Sequence, residues 1–266
     1  MLIGYGQPAG IVPTVAGAAG INLPALVDGE PASVARISGG AGSASLRLDW
    51  AAAAPIRIVA ALGLTCVAGT SLTLTGKRAG DAGYGYALGG NAVTQTVVQL
   101  PDGSRAAWFV LPAANTPLVG LQLVVGAGAF DLGELVAMPA VDVLLDKGWR
   151  MELIDPSISD RTLGGQLNIV ERRSYRRLTG QLSLATTAAV RGAGLVNGMD
   201  WELLAAALRG NRRGVSIHRY RQPGGALDTA ELHRCALYGK GTLGPSQHVS
   251  GPFSNRPLVF EEIPPV

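Results

Sequence analysis

From Asn22 to Ala137 the chain repeats one theme: a short apolar or alternating segment, then a turn signal, at intervals of about eight to twelve residues. No other feature narrows the fold as much. Ser45-Leu46-Arg47-Leu48-Asp49-Trp50 alternates strictly and places Leu46, Leu48 and Trp50 on one face of a strand. Ile56–Leu62 reads as a more deeply buried strand, Ser71–Thr75 alternates again, and Thr94–Leu100 is rich in β-formers. Ala107–Leu111, Leu118–Val125 and Phe130–Ala137 complete the series. Seven or eight short strands with no helical period over roughly 115 residues predict a β-sandwich, jelly-roll or otherwise. The first 25 residues are rich in Gly, Ala and Pro and read as an arm or irregular edge. Gly39-Gly40 and Gly89-Gly90 read as turns.

Near Val141 the pattern changes. Asp200–Leu208 has helix formers throughout, a glycine stop at Gly210, and Trp201, Leu204 and Leu208 on one face; Asn197 or Asp200 is placed to cap it. Strands are expected at Gly214–Tyr220, Glu231–Tyr238 and Pro257–Ile263. Arg161–Val170 runs through Glu171-Arg172-Arg173-Ser174-Tyr175-Arg176-Arg177 into Leu178–Leu184, either as a long hairpin bent near 172–177 or as one continuous bent strand. The chain is therefore mainly β. A β-sandwich domain at 1–140 is followed by a sheet or barrel with one helix at 141–266.

Composition sets limits on function. Only 15% of residues are charged and 5% aromatic, against 37 glycines and 16 prolines, which suits turns and strands and opposes disorder. Residues 1–140 carry six basic and seven acidic side chains, and the remainder sixteen and twelve. Cys66 and Cys235 lie in apolar runs and are expected as buried free thiols, in a reducing, soluble compartment. The N-terminus lacks the basic and continuously apolar regions of a signal peptide, and no membrane span is expected.

Catalytic patterns are missing. His218, His233 and His248 stand apart from one another, and none pairs with Cys or an acid at ligand spacing, so neither metal nor cofactor is expected. No nucleophile elbow or phosphate loop occurs, and the carboxylates show no paired arrangement. A non-enzymatic protein is expected. Arg172, Arg173, Tyr175, Arg176 and Arg177 form the densest charge feature, and with so modest a net charge they suit a subunit interface better than nucleic acid. Tyr84 and Tyr86, in a Gly-Tyr loop, are the candidate aromatics for stacking on a sugar, or for packing on a neighbour.

Leu46–Asp49, Pro55–Leu64, Ala107–Pro112 and Phe130–Ala137 together resemble the galactose-binding-like jelly-roll modules of bacteriophage tail and baseplate proteins. The arginine-rich run, the Trp201–Leu208 helix and Leu258–Ile263 resemble the sheet-plus-helix unit of tail-tube and distal-tail proteins. The module order is the reverse of that usual in distal-tail proteins. The resemblance implies a structural subunit of the tail tip or baseplate, located in the virion and assembled in the host cytoplasm. It implies a homo-oligomeric ring of three or six copies, with tail-tube, tape-measure and baseplate hub or fibre proteins as partners. The alternative is a carbohydrate-binding adhesin module that recognises a host glycan.

Overall fold

The computed structural model describes residues 1–88, 93–112, 117–161, 165–210, 212–223, 225 and 227–264; the Gly89-Gly90 turn and part of the run after Arg161 lie outside these. The protein is mainly β and divides into two compact units. The first comprises residues 1–142 and 217–236; the second comprises 143–216 and 237–264. The stretch beyond Val141 thus gives residues 217–236 back to the first unit.

The first unit holds β1 (Leu2–Gly4), β2 (Val12–Ala16), β3 (Ala19–Ile21), β4 (Ala35–Ser38), β5 (Ala44–Ala54), β6 (Ile58–Leu62) and β7 (Ser71–Arg78). It continues with β8 (Val93–Thr96), β9 (Val98–Gln99), β10 (Arg105–Val110), β11 (Leu118–Val125), β12 (Phe130–Leu132), β13 (Glu134–Met138) and β14 (Ala140–Asp142). One sheet has the order β2-β5-β11-β7-β8 and a second β13-β6-β10-β9. Both contribute to one apolar cluster: Leu46, Leu48, Leu72, Leu121 and Leu123 from the first sheet, Val59, Ala61, Phe109, Leu135 and Ala137 from the second. The result is an antiparallel β-sandwich, and the strict alternation of β5 is what turns its leucines inward and Arg47 and Asp49 outward. Trp50 is buried with them, and its indole N–H donates to the Leu118 carbonyl (2.8 Å).

Two expectations change here. The N-terminus is not an irregular arm: Leu2 and Ile3 are fully buried, and β1 pairs with β14 in the register Leu2↔Asp142, Ile3↔Val141. The Gly/Ala-rich composition hid this because the strand is only three residues long. Phe130–Ala137 is two strands, because the Gly133 N–H turns to the Leu62 carbonyl (2.9 Å) and its Cα lies where any Cβ would overlap the Pro31 carbonyl.

The second unit holds β15 (Arg150–Ile154), β16 (Ile158–Arg161), β17 (Leu167–Val170), β18 (Tyr175–Thr186), β19 (Arg213–Ile217), β20 (Ala236–Leu243), β21 (Gln247–Ser250) and β22 (Phe253–Glu262), with helices α1 (Thr187–Arg191) and α2 (Trp201–Ala207). Its sheet runs β19-β20-β22-β18-β15, with β21 paired to β22. The expected helix is α2, and of the two candidate caps it is Asp200 whose carboxylate accepts the Leu203 N–H (2.8 Å); Trp201, Leu204 and Leu208 are buried. Arg256, itself buried, donates to the Trp201 carbonyl (2.6 Å) and the Gly244 carbonyl (2.6 Å), fixing the start of α2.

The arginine-rich run forms neither the expected hairpin nor one bent strand. β17 pairs with β16, while β18 pairs with β15 on one side and β22 on the other. The acidic partners explain the choice: Arg177 lies opposite Glu261 in the β18–β22 register, an attraction unavailable to β17. The expected strand at Glu231–Tyr238 begins instead as a helix of the first unit, α3 (Thr229–Cys235), and only then becomes β20. Asp228 caps α3 by accepting the Glu231 N–H (3.2 Å), and Leu232, Cys235 and Ala236 recur at helical spacing.

Candidate functional site

Tyr84 and Tyr86 lie on the loop that follows β7, at one edge of the five-stranded sheet. Tyr86 is held by its backbone, which exchanges two hydrogen bonds with Gly76 (2.9 and 3.1 Å), and its ring packs partly against the sandwich core. The Arg78 guanidinium sits 4.4 Å from the ring centre. Arg78 also forms a fork with Asp81, from Nε (3.1 Å) and Nη2 (3.1 Å), while its backbone N–H donates to the same carboxylate (2.9 Å). That pairing holds the Asp81 carboxyl below the usual range and raises the Arg78 guanidinium. Arg78, Asp81, Tyr86 and the backbone of Gly83 and Gly85 line an open depression of about 570 Å³.

Tyr84 lies beside this depression, on the outer face of the sheet. Its hydroxyl donates to Asp49, while Arg47 and Lys77 stand 5.1 and 5.3 Å from its ring centre. Lys77 also approaches Asp49 (3.5 Å), and Arg47 donates to Gln122 (3.0 Å). The register brings these groups together: Asp49 and Lys77 flank Gly120 on the neighbouring strands, and a Cβ there would stand 3.1 Å from the Tyr84 ring and 2.9 Å from the Asp49 carboxylate. Burial, and then the bond to Asp49, push the Tyr84 hydroxyl well above its ordinary pKa. The two tyrosines are thus fixed among charged groups. The sequence picked out both but missed Arg47, Asp49, Lys77, Arg78 and Asp81. Arg47 and Asp49 at alternate outward positions of β5, with Lys77 at an outward position of β7, were the available signal.

The second set of candidates separates. Arg172 and Arg173 are exposed between β17 and β18, with the Arg172 N–H bonded to Ser157 Oγ (2.9 Å). Arg176 grips Glu262 through Nε (2.9 Å) and Nη2, and Arg177 grips Glu261 through Nε (3.0 Å) and Nη2 (2.5 Å). Glu152, Arg177, Glu261 and Lys240 form a cross-strand row of alternating charge over β15, β18, β22 and β20. Tyr175 opens β18, opposite Ile154. Two arginines of the run are therefore engaged within the sheet, while Arg172 and Arg173 extend into solvent.

Elsewhere, Cys66 and Cys235 are buried thiols that are not joined in a disulfide. Among the described residues no group of three His, Cys, Asp or Glu side chains is arranged to hold a metal, and no helix is long and apolar enough to cross a membrane.

No family model matches the chain, and no curated protein matches it. Solved structures similar to it include CpGH89CBM32-6 produced by Clostridium perfringens, at 11% identity and TM-score 0.33, covering 47% of this chain and 91% of that one. A family 89 glycoside hydrolase from the same organism, in complex with PUGNAc, matches at 9% identity and TM-score 0.33, over 48% of this chain and 14% of that one. A truncated AlyQ with CBM32 and alginate lyase domains matches at 9% identity and TM-score 0.36, over 70% of this chain and 49% of that one.

Proposed function

We propose that the first unit is a non-catalytic carbohydrate-binding module that takes its ligand at the Tyr84–Tyr86 edge. The observation that supports this reading is the depression itself: one aromatic ring beside a planar Arg78–Asp81 fork, with glycine backbone on the rim. Sugar hydroxyls are bound by planar polar side chains, and the small residues leave the rim low enough for a ring to approach. Arg78 covers Tyr86 from one side, so the ligand is held chiefly by hydrogen bonds and the tyrosine supplies apolar contact. A glycan array followed by calorimetry tests this. Tyr86→Ala and Arg78→Ala are each expected to weaken a positive interaction by about tenfold or more, corresponding to about 1.4 kcal/mol. Silence across host surface polysaccharides, or undiminished binding by both variants, overturns it.

A second reading, a structural subunit of a bacteriophage tail tip that forms a homo-oligomeric ring in the virion, is favoured by a different observation. Among the described residues the β16–β17 hairpin pairs only with itself, and Ile158, Leu167, Ile169 and Val170 are each 49–54% exposed. The register puts Ile158 and Val170 on one face and Leu167 and Ile169 on the other, so each face carries an apolar pair. An isolated two-stranded hairpin is marginal in water, and two apolar faces suit an element enclosed by neighbouring copies. Native mass spectrometry is expected to show a ring that Leu167→Asp/Ile169→Asp dissociates. A strictly monomeric wild-type protein that also fails to associate with tail partners overturns it.

A further inference from the structure

The segment 217–236 leaves the second unit's sequence, packs with the first unit and returns. Its helix, α3, lies on β10, a strand whose far edge is only partly covered: β9 pairs with Arg105 and Ala106 and stops. Beyond that point the Trp108 N–H has no strand partner among the described residues. It donates instead to Nε2 of His233 (3.2 Å), a side chain only 2% exposed. A buried backbone N–H left without an acceptor is destabilising, so the imidazole closes a gap in the sheet edge.

An imidazole nitrogen accepts a hydrogen bond only when it carries no proton. We propose that α3 is an acid-released latch: neutral His233 holds the return segment on β10, and a proton added at Nε2 converts the acceptor into a donor facing another donor. Charged neighbours do not offset this change. On β10 the single charged group is Arg105, which is engaged with the Thr65 and Cys66 carbonyls (2.9 and 3.1 Å). Within the segment, Asp228 caps α3 and faces Arg219 (3.6 Å), while Glu231 and Arg234 flank His233 in sequence and Cys235 is an uncharged buried thiol. Burial is the first cause acting on the imidazole and lowers its pKa, with the Thr229 carbonyl opposing. The sign follows: the released segment takes up a proton near the ordinary value of about 6.5, before the docked one does. Docking is therefore fully stable above that pH and weakens as pH falls toward the depressed value.

Amide hydrogen exchange of the full chain at pH 7.5 and pH 5, corrected for intrinsic exchange rates, reads the latch directly. Protection at Trp108 and over 229–236 is expected to fall at least tenfold at the lower pH, while Leu46–Trp50 and Leu118–Val125 stay protected. His233→Gln, which keeps an acceptor without a titration, is expected to abolish the difference. Unchanged protection at pH 5, a loss shared by the whole sandwich, or the same pH response in His233→Gln overturns the proposal. Should that variant not fold, the wild-type His233 titration by nuclear magnetic resonance decides: protonation coincident with release supports the latch, and release with a neutral ring overturns it.

Discussion

The two units bury their strands differently. In the first, two sheets share one apolar cluster, and the alternation of β5, β7 and β11 is answered by β6, β10 and β13. In the second, one sheet buries Leu178, Leu182, Leu258 and Phe260 and carries a cross-strand row of alternating charge, and a separate hairpin is exposed along its whole length. Apolar alternation alone specifies a closed sandwich. The second sheet adds charge pairing across its strands, and the hairpin of that unit leaves apolar surface uncovered. That contrast is why recognition is proposed at the edge of the first unit and association at the hairpin of the second.

The contrast is broken most directly by truncating side chains on each side of it. Phe109→Ala, in the shared cluster, is expected to cost about 3–5 kcal/mol in urea unfolding, whereas Leu153→Ala, at a residue 69% exposed, is expected to change stability by under about 0.5 kcal/mol. Comparable losses at the two sites would mean that the second unit is closed as tightly as the first. Arg176→Ala tests the charge pairing across the second sheet. Removing the partner of Glu262 is expected to cost about 1.5–3 kcal/mol by the same measurement, and Arg176→Lys is expected to recover only part, because the forked geometry is lost. Asp200→Ala is expected to remove about 1 kcal/mol by leaving the Leu203 N–H uncapped, and Asp200→Asn to restore most of it.

The smallest effect sharpens the first unit's edge. Because the Tyr84 pKa is raised in the fold, the unfolded chain loses its proton first, near pH 10, and stability declines as pH rises beyond that value. Tyr84→Phe is expected to flatten this alkaline decline in a series of thermal melts, with little change at neutral pH. An identical decline in the variant would show that Asp49 does not hold the hydroxyl as described.

Legibility followed the range of the interaction. Strands whose inward residues alternate, such as β5 and β11, were readable, as was α2 from its capping aspartate and apolar spacing. Short elements were not: β1 is three residues of ordinary apolar sequence, and α3 is seven residues in which Leu232 and Cys235 suit a strand as well as a helix. At the candidate edge Tyr84 and Tyr86 stood out by type. Asp49, Lys77 and Arg78 looked like ordinary solvent-facing charges until the sheet register placed them around the tyrosines.

The sequence by itself determined that this chain is mainly β, that it changes character near Val141, and that a capped helix lies within Asp200–Leu208. Each of these rests on periodicity or on side-chain-to-backbone bonding within a few residues. Only the tertiary structure decided that Arg176 and Arg177 answer Glu262 and Glu261, that β17 turns back on β16, and that His233 closes the edge of β10. Those choices join residues more than 80 apart, or set one pairing against another of similar local pattern. Hydrophobic alternation says which face of a strand is buried, but it does not say which strand lies next to it.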